Sequence, residues 1–237
     1  MKKRFAAFVS TVLAAVLCAC SAAPKDVLPN KAAQPTEAPT QQAQTTQAAP
    51  TEQPTPEPDL VQQLLEEMTL EQKVGQLFLV RPDSLDLSQT QDQINDAKAD
   101  GVTELTDAMR QTLAEYPVGG VVIFGKNLES PQQITQFLDD LQQASDTPLF
   151  TAIDEEGGLV ARLANNAAFD LPQYESAAAV GTSGNPEDAR AMGRTIGGYL
   201  KEYGFNLDFA PVADVNTNPD NPVIGTRAFS SEPQTAA

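Results

Sequence analysis

From residue 59 onward the sequence predicts an α/β fold built on a parallel sheet. Short apolar runs bounded by glycine or proline recur along the chain, amphipathic helical stretches separate them, and charged or amide residues follow each run.

The first helix is predicted from residue 60, with Leu60, Val61, Leu64, Leu65 and Met68 on one face. A second short helix opens at Thr69-Leu70-Glu71-Gln72, close to a capping box, and leads into the first strand, Leu77-Phe78-Leu79-Val80. Residues 82–115 are polar and turn weakly helical toward Leu113. The second strand, Gly119-Gly120-Val121-Val122-Ile123-Phe124, is a continuous apolar run suited to a position buried on both faces.

Ser130 and Pro131 supply an N-cap and a first-turn proline for a helix that buries Ile134, Phe137, Leu138 and Leu141. That helix is expected to end near Asp146-Thr147-Pro148, and Leu149-Phe150-Thr151-Ala152-Ile153 forms the third strand, delivering Asp154 at its carboxyl end. Another helix starts at Asn185-Pro186-Glu187-Asp188, presents Met192, Ile196, Tyr199, Leu200 and Tyr203, and closes at Gly204. Residues 205–212 are the fourth strand. A (β/α) barrel and an open doubly wound sheet both fit this order, although no Gly-rich phosphate loop follows the first strand.

The amino-terminal part is of another kind. Residues 1–20 read as an export signal, with Lys2, Lys3 and Arg4 ahead of an apolar run to Leu17 that is short for a membrane span. The run ends in Leu17-Cys18-Ala19-Cys20, which resembles the lipobox of bacterial lipoproteins and makes Cys20 the expected lipidated terminus. Residues 21–58 carry eight prolines and almost no large apolar side chain, so a disordered, extended tether is expected there. The expected location is extracytoplasmic, held to the cell membrane through lipid.

Composition excludes several chemistries. The net charge of −17 argues against a nucleic-acid partner, because phosphate binding draws on Lys and Arg. The only two cysteines lie at 18 and 20 and the chain has no histidine, so residues 59–237 hold no disulfide, no thiolate nucleophile and no imidazole base or ligand. Neither a cofactor nor a metal is expected.

Functional groups of parallel α/β folds gather where strands end. The sharpest cluster is Asp154-Glu155-Glu156-Gly157-Gly158, followed by Arg162; a solvated acidic turn and a carboxylate metal site are its other readings. Gly125-Lys126-Asn127 follows the second strand and fits an ordinary polar turn equally well. After the fourth strand come Asp214 and a loop over residues 218–229, in which Arg227 offers a planar donor fork for sugar hydroxyls or for a structural carboxylate.

Together these stretches resemble glycoside hydrolase family 3, in particular its bacterial β-N-acetylglucosaminidase branch, across residues 60–233. The Asp154-Glu155-Glu156-Gly157-Gly158 cluster with Arg162 is similar to that branch's Asp-Gln-Glu-Gly-Gly motif, with Glu155 in place of the usual Gln and no role assigned to it. The 218–229 loop resembles lipoprotein members of the branch.

The resemblance implies the amino-terminal half of a TIM-like (β/α)8 barrel over residues 59–237. It also implies that Asp154, Arg162 and Arg227 bind the hydroxyls of a terminal N-acetylglucosamine, with Glu156, Asp214 and Asn127 supporting them from behind. The family's retaining double displacement uses a carboxylate nucleophile and, in this branch, an acid-base His on a Lys-His-x-Pro-Gly-His loop. Neither segment occurs by Ala237, so catalytic residues are expected elsewhere and this chain is expected to be inactive alone. Residues 230–237 begin like a helix, which suits a sequence that belongs to a longer barrel. A family 3 β-glucosidase and a non-catalytic sugar-binding surface lipoprotein are the competing functions; the Gly-Gly after the acids favours the N-acetylglucosaminidase.

Overall fold

A computed structural model describes residues 59–237; the expected export signal, Cys20 and the expected tether at 21–58 lie outside the described residues. Four strands, β1 (Leu79–Val80), β2 (Gly120–Ile123), β3 (Phe150–Ile153) and β6 (Leu207–Asp208), form one parallel sheet in the order β1-β2-β3-β6. Each new strand is added to the same edge. A doubly wound sheet must reverse that direction at a switch point, and no strand of this sheet lies out of order, so the winding is that of successive barrel strands.

Helices cover one face. α4 (Asp107–Glu115) and α5 (Pro131–Gln143) connect β1 to β2 and β2 to β3, and α7 (Pro186–Glu202) precedes β6. Val121, Ile123 and Ile153 join Met109, Leu113, Ile134, Phe137, Leu138 and Leu141 in one buried cluster, each large side chain contributing roughly 2 kcal/mol by leaving water. Phe150, alternating with the helix-facing residues of β3, stays half exposed on the other face.

The helix ends follow local chemistry. Ser130 accepts from Gln133 N at 3.2 Å with Pro131 in the first turn of α5, and Asn185 caps α7 with Pro186 behind it. Thr69 and Gln72 form the full capping box of α2 (Leu70–Gly75), and Gly204, at φ 93°, ends the α7 segment in the left-handed region. The helix begun near residue 230 forms as α8 (Pro233–Ala236).

Several elements differ from expectation. β1 is two residues rather than four, leaving Leu77 and Phe78 exposed, and β6 is two residues where eight were expected. In both cases strand pairing needs a neighbour in register, and apolar content alone does not supply one. α5 stops at Gln143, ahead of the expected end. α1 (Leu60–Glu67) forms with its cap on Asp59, yet Leu60, Val61, Leu64 and Leu65 are exposed: amphipathicity makes the helix and nothing among the described residues covers its face. The polar stretch 82–115 holds more structure than its composition suggests, namely a 3-10 turn at Pro82–Leu85, α3 (Gln91–Asn95) and α4. Among the described residues no helix is long and apolar enough to cross a membrane.

Candidate functional site

The carboxyl ends of β1, β2, β3 and β6 deliver Arg81, Phe124, Asp154 and Asp208 to one edge of the sheet. Immediately after β3 the chain makes a tight hairpin, β4 (Glu155–Gly157) and β5 (Val160–Ala161), that the sequence did not announce. Its turn uses Gly157 and Gly158 at φ 83° and 69°. A side chain there would be strained, and at Gly158 it would also meet the backbone of Glu175 and Ser176, which is the physical need for the paired glycines.

The three consecutive acids go to three different partners. Asp154 faces the rim and accepts from Arg162 Nη2 at 3.0 Å, its side chain 26% exposed. Glu155 is fully buried, and Glu156, nearly buried, grips Arg227 through two parallel bonds, Nε to Oε2 at 2.8 Å and Nη2 to Oε1 at 2.6 Å. Such a fork-to-fork pair is the strong, oriented form of a charge-assisted bond. Division among these partners rules out a solvated acidic turn.

Arg227 arrives from a 3-10 turn at Gly225–Arg227, 71 residues further along the chain. Its guanidinium is held above its ordinary pKa, first by the Glu156 hydrogen bond and then by the charges of Glu156, Asp154 and Asp214. Asp154, Arg162 and Arg227 therefore share one electrostatic neighbourhood. Asp214 is exposed and acts on Arg227 through its field; no hydrogen bond ties its side chain down among the described residues.

Arg162 is braced from the side by the ring of Phe124, 5.7 Å from its guanidinium carbon, and Arg81 stacks on the same ring at 4.4 Å. Asn127 sets the backbone of Phe124: buried, it accepts from Phe124 N at 3.0 Å and donates to Asp83 Oδ2 and Val102 O. Gly125-Lys126-Asn127 is thus no ordinary turn. Lys126 Nζ lies 3.2 Å from the buried Asp83 and also donates to Gln93 O and Ile94 O at the end of α3.

Sequence reasoning missed Asp83, Asp208 and the importance of Glu155. Glu155 accepts from Leu163 N at 2.8 Å, Ala164 N at 2.9 Å and Tyr199 Oη at 2.8 Å, so its side chain joins the end of β3, the turn after Arg162 and α7. Burial and the adjacent Glu155 charge push the Tyr199 phenol far above its ordinary value, keeping it a donor. Asp208 Oδ1 accepts from Glu155 N at 3.0 Å; burial, with the charges of Glu155, Asp154 and Glu156, pushes its carboxyl up to about 6. Asp208 keeps the apolar-polar alternation of Phe205-Asn206-Leu207-Asp208-Phe209, so nothing along the chain set it apart. Behind these acids, Glu155, Glu156 and Asp208 reach a cavity of about 650 Å³ against the Met192 and Ile196 side of α7.

The chain's similarities to known proteins agree with one another. Residues 69–237 match the glycosyl hydrolase family 3 N-terminal domain. A β-hexosaminidase A from Pseudoalteromonas piscicida is 36% identical over 137 residues, 56% of this chain and 23% of that protein. The glycoside hydrolase family 3 β-N-acetylglucosaminidase of Paenibacillus sp. str. FPU-7 superposes with a TM-score of 0.59 at 33% identity, over 71% of this chain and 29% of that one. NagZ from Neisseria gonorrhoeae, solved in complex with N-trifluoroacetyl-D-glucosamine, superposes at 0.50 with 25% identity, over 57% of this chain and 40% of that one. The chain spans between 23% and 40% of the length of these three proteins.

Proposed function

This chain belongs to glycosyl hydrolase family 3, and from that premise we propose that Asp154, Arg162 and Arg227 grip the terminal N-acetylglucosamine of a glycoside whose bond the whole protein hydrolyses. One observation carries the reading. Of the three acids after β3, only Asp154 remains partly exposed with one hydrogen bond, so its carboxylate keeps acceptor capacity for sugar hydroxyls beside the Arg162 donors. Arg227, fixed by Glu156, offers further N–H groups from the facing loop.

The described residues bind and orient; with no histidine in the chain, an imidazole acid-base is not theirs to supply. The mechanism proposed for the whole protein is the retaining displacement of its family, on fragments of peptidoglycan type. Titration of the full chain with N-acetylglucosamine and with glucose tests the sugar site. Expected are saturable binding of N-acetylglucosamine, weaker binding of glucose, and loss of both in D154A. Equal binding of the two sugars would move the reading to a β-glucosidase, and no binding at all would remove it.

The surface placement is a companion proposal. The basic start, the apolar run to Leu17 and Cys20 at its end support a lipid anchor, with residues 21–58 as the spacer. In cells fed a labelled fatty acid, the protein is expected to carry label and sediment with membranes, and C20S is expected to do neither; a labelled C20S protein would refute the anchor.

A further inference from the structure

The two arginines of the proposed sugar grip are held in different ways. Arg227 meets Glu156 through two parallel bonds, which fix the plane of its guanidinium. Arg162 makes one hydrogen bond among the described residues, from Nη2 to Asp154 Oδ2 at 3.0 Å, and its Nε is buried without a partner. The Arg162 and Asp154 side chains are 33% and 26% exposed, and a partly hydrated ion pair gains little over the entropy of holding an arginine still. The guanidinium is free to turn about that single bond, so a second contact has to fix its plane.

The Phe124 ring is that contact. Its centre lies 5.7 Å from the Arg162 guanidinium carbon, within reach of a cation–π attraction. The ring is itself held in two ways. Its backbone is set by the bond from Phe124 N to Asn127 Oδ1 at 3.0 Å, and the buried Asn127 donates in turn to Asp83 Oδ2 and Val102 O. Over the ring, Arg81 stacks at 4.4 Å while its Nη1 donates to Ile94 O at 2.7 Å. A fixed ring therefore stands beside an arginine that its carboxylate holds loosely.

We propose that Phe124 is a positioning residue for the sugar site, and that the charge distribution of its ring, rather than its bulk, holds the Arg162 guanidinium in the plane that meets Asp154 and the sugar. The inference rests on the sugar-binding reading of Asp154 and Arg162. Its physical basis is the ring quadrupole. The negative face of an aromatic ring attracts a cation, and ring fluorine drains that face while leaving the shape nearly unchanged. Fluorination thus separates the attraction from the packing.

Phenylalanines carrying one, two and three ring fluorines are placed at position 124 of the full chain by stop-codon suppression, beside F124Y, which keeps an electron-rich ring. Two quantities are read in each. One is the heteronuclear NOE of the Arg162 Nε–Hε group, identified by its absence in R162K, which falls as the side chain gains fast motion. The other is N-acetylglucosamine affinity. Both are expected to fall stepwise with fluorine content, reaching about fivefold weaker binding at three fluorines, while F124Y stays within about twofold of the wild type.

An affinity that is flat across the fluorinated series overturns the proposal, and so does an Arg162 group that stays equally ordered throughout. A wild type that binds no N-acetylglucosamine sinks the sugar reading instead. The Arg162 NOE then still tells whether the ring holds the arginine.

Discussion

Replacing Arg227 with alanine is expected to lower the unfolding free energy by about 3 kcal/mol and to abolish N-acetylglucosamine binding in the same variant. The stability loss follows from what is left behind. The Glu156 side chain is 5% exposed and its only hydrogen-bonded partner among the described residues is the Arg227 fork, so truncation strands a carboxylate away from water. Removing one member of a buried pair costs far more than the pair contributes over a neutral replacement. The double variant E156Q/R227M is therefore expected to recover most of the stability and none of the binding. Because the chain has no tryptophan, urea unfolding is followed by circular dichroism; a wild-type midpoint for R227A would show that Glu156 reaches water or another cation.

The second large effect lies at the other end of the site. K126M keeps the length of the side chain and removes its ammonium, leaving Asp83, at 0% exposure, with Asn127 and the Val102 amide but no counter-charge. A loss of about 3 kcal/mol is expected, together with early amide exchange in residues 82–102, since Lys126 also holds the last carbonyls of α3. D83N/K126M is expected to restore most of the stability. If K126M alone unfolds at the wild-type urea concentration, the Asp83–Lys126 pair contributes nothing and Asp83 is satisfied by Asn127 and the Val102 amide.

The second effect involves residues whose importance is hard to read along the chain. Lys126 stands in a stretch that looks like a turn, and Asp83 sits in a polar segment with no periodic signal. They meet because β2 runs beside β1, bringing residues 44 positions apart, such as Asp83 and Asn127, within 3.0 Å. The same is true of Glu155 and Tyr199, also 44 apart, and of Glu156 and Arg227. Charge sequence alone makes Asp154, Glu155 and Glu156 look alike; only the directions in which a strand end and a hairpin point them make one a rim acceptor, one a buried bolt and one the seat of an arginine.

The features legible along the chain are those settled within a few residues. The capped starts of α2, α5 and α7, the apolar stripe of α5, the glycine after α7 and the strand cores of β2 and β3 all follow from backbone hydrogen bonding and side-chain periodicity. The tertiary structure decided the winding of the sheet, the two-residue lengths of β1 and β6, the exposure of the α1 face and every partner of the acidic cluster. Local signals report what a segment prefers as a helix or strand. Register, desolvation and the pairing of a charge depend on which distant segment lies alongside, and that is a property of the packed chain.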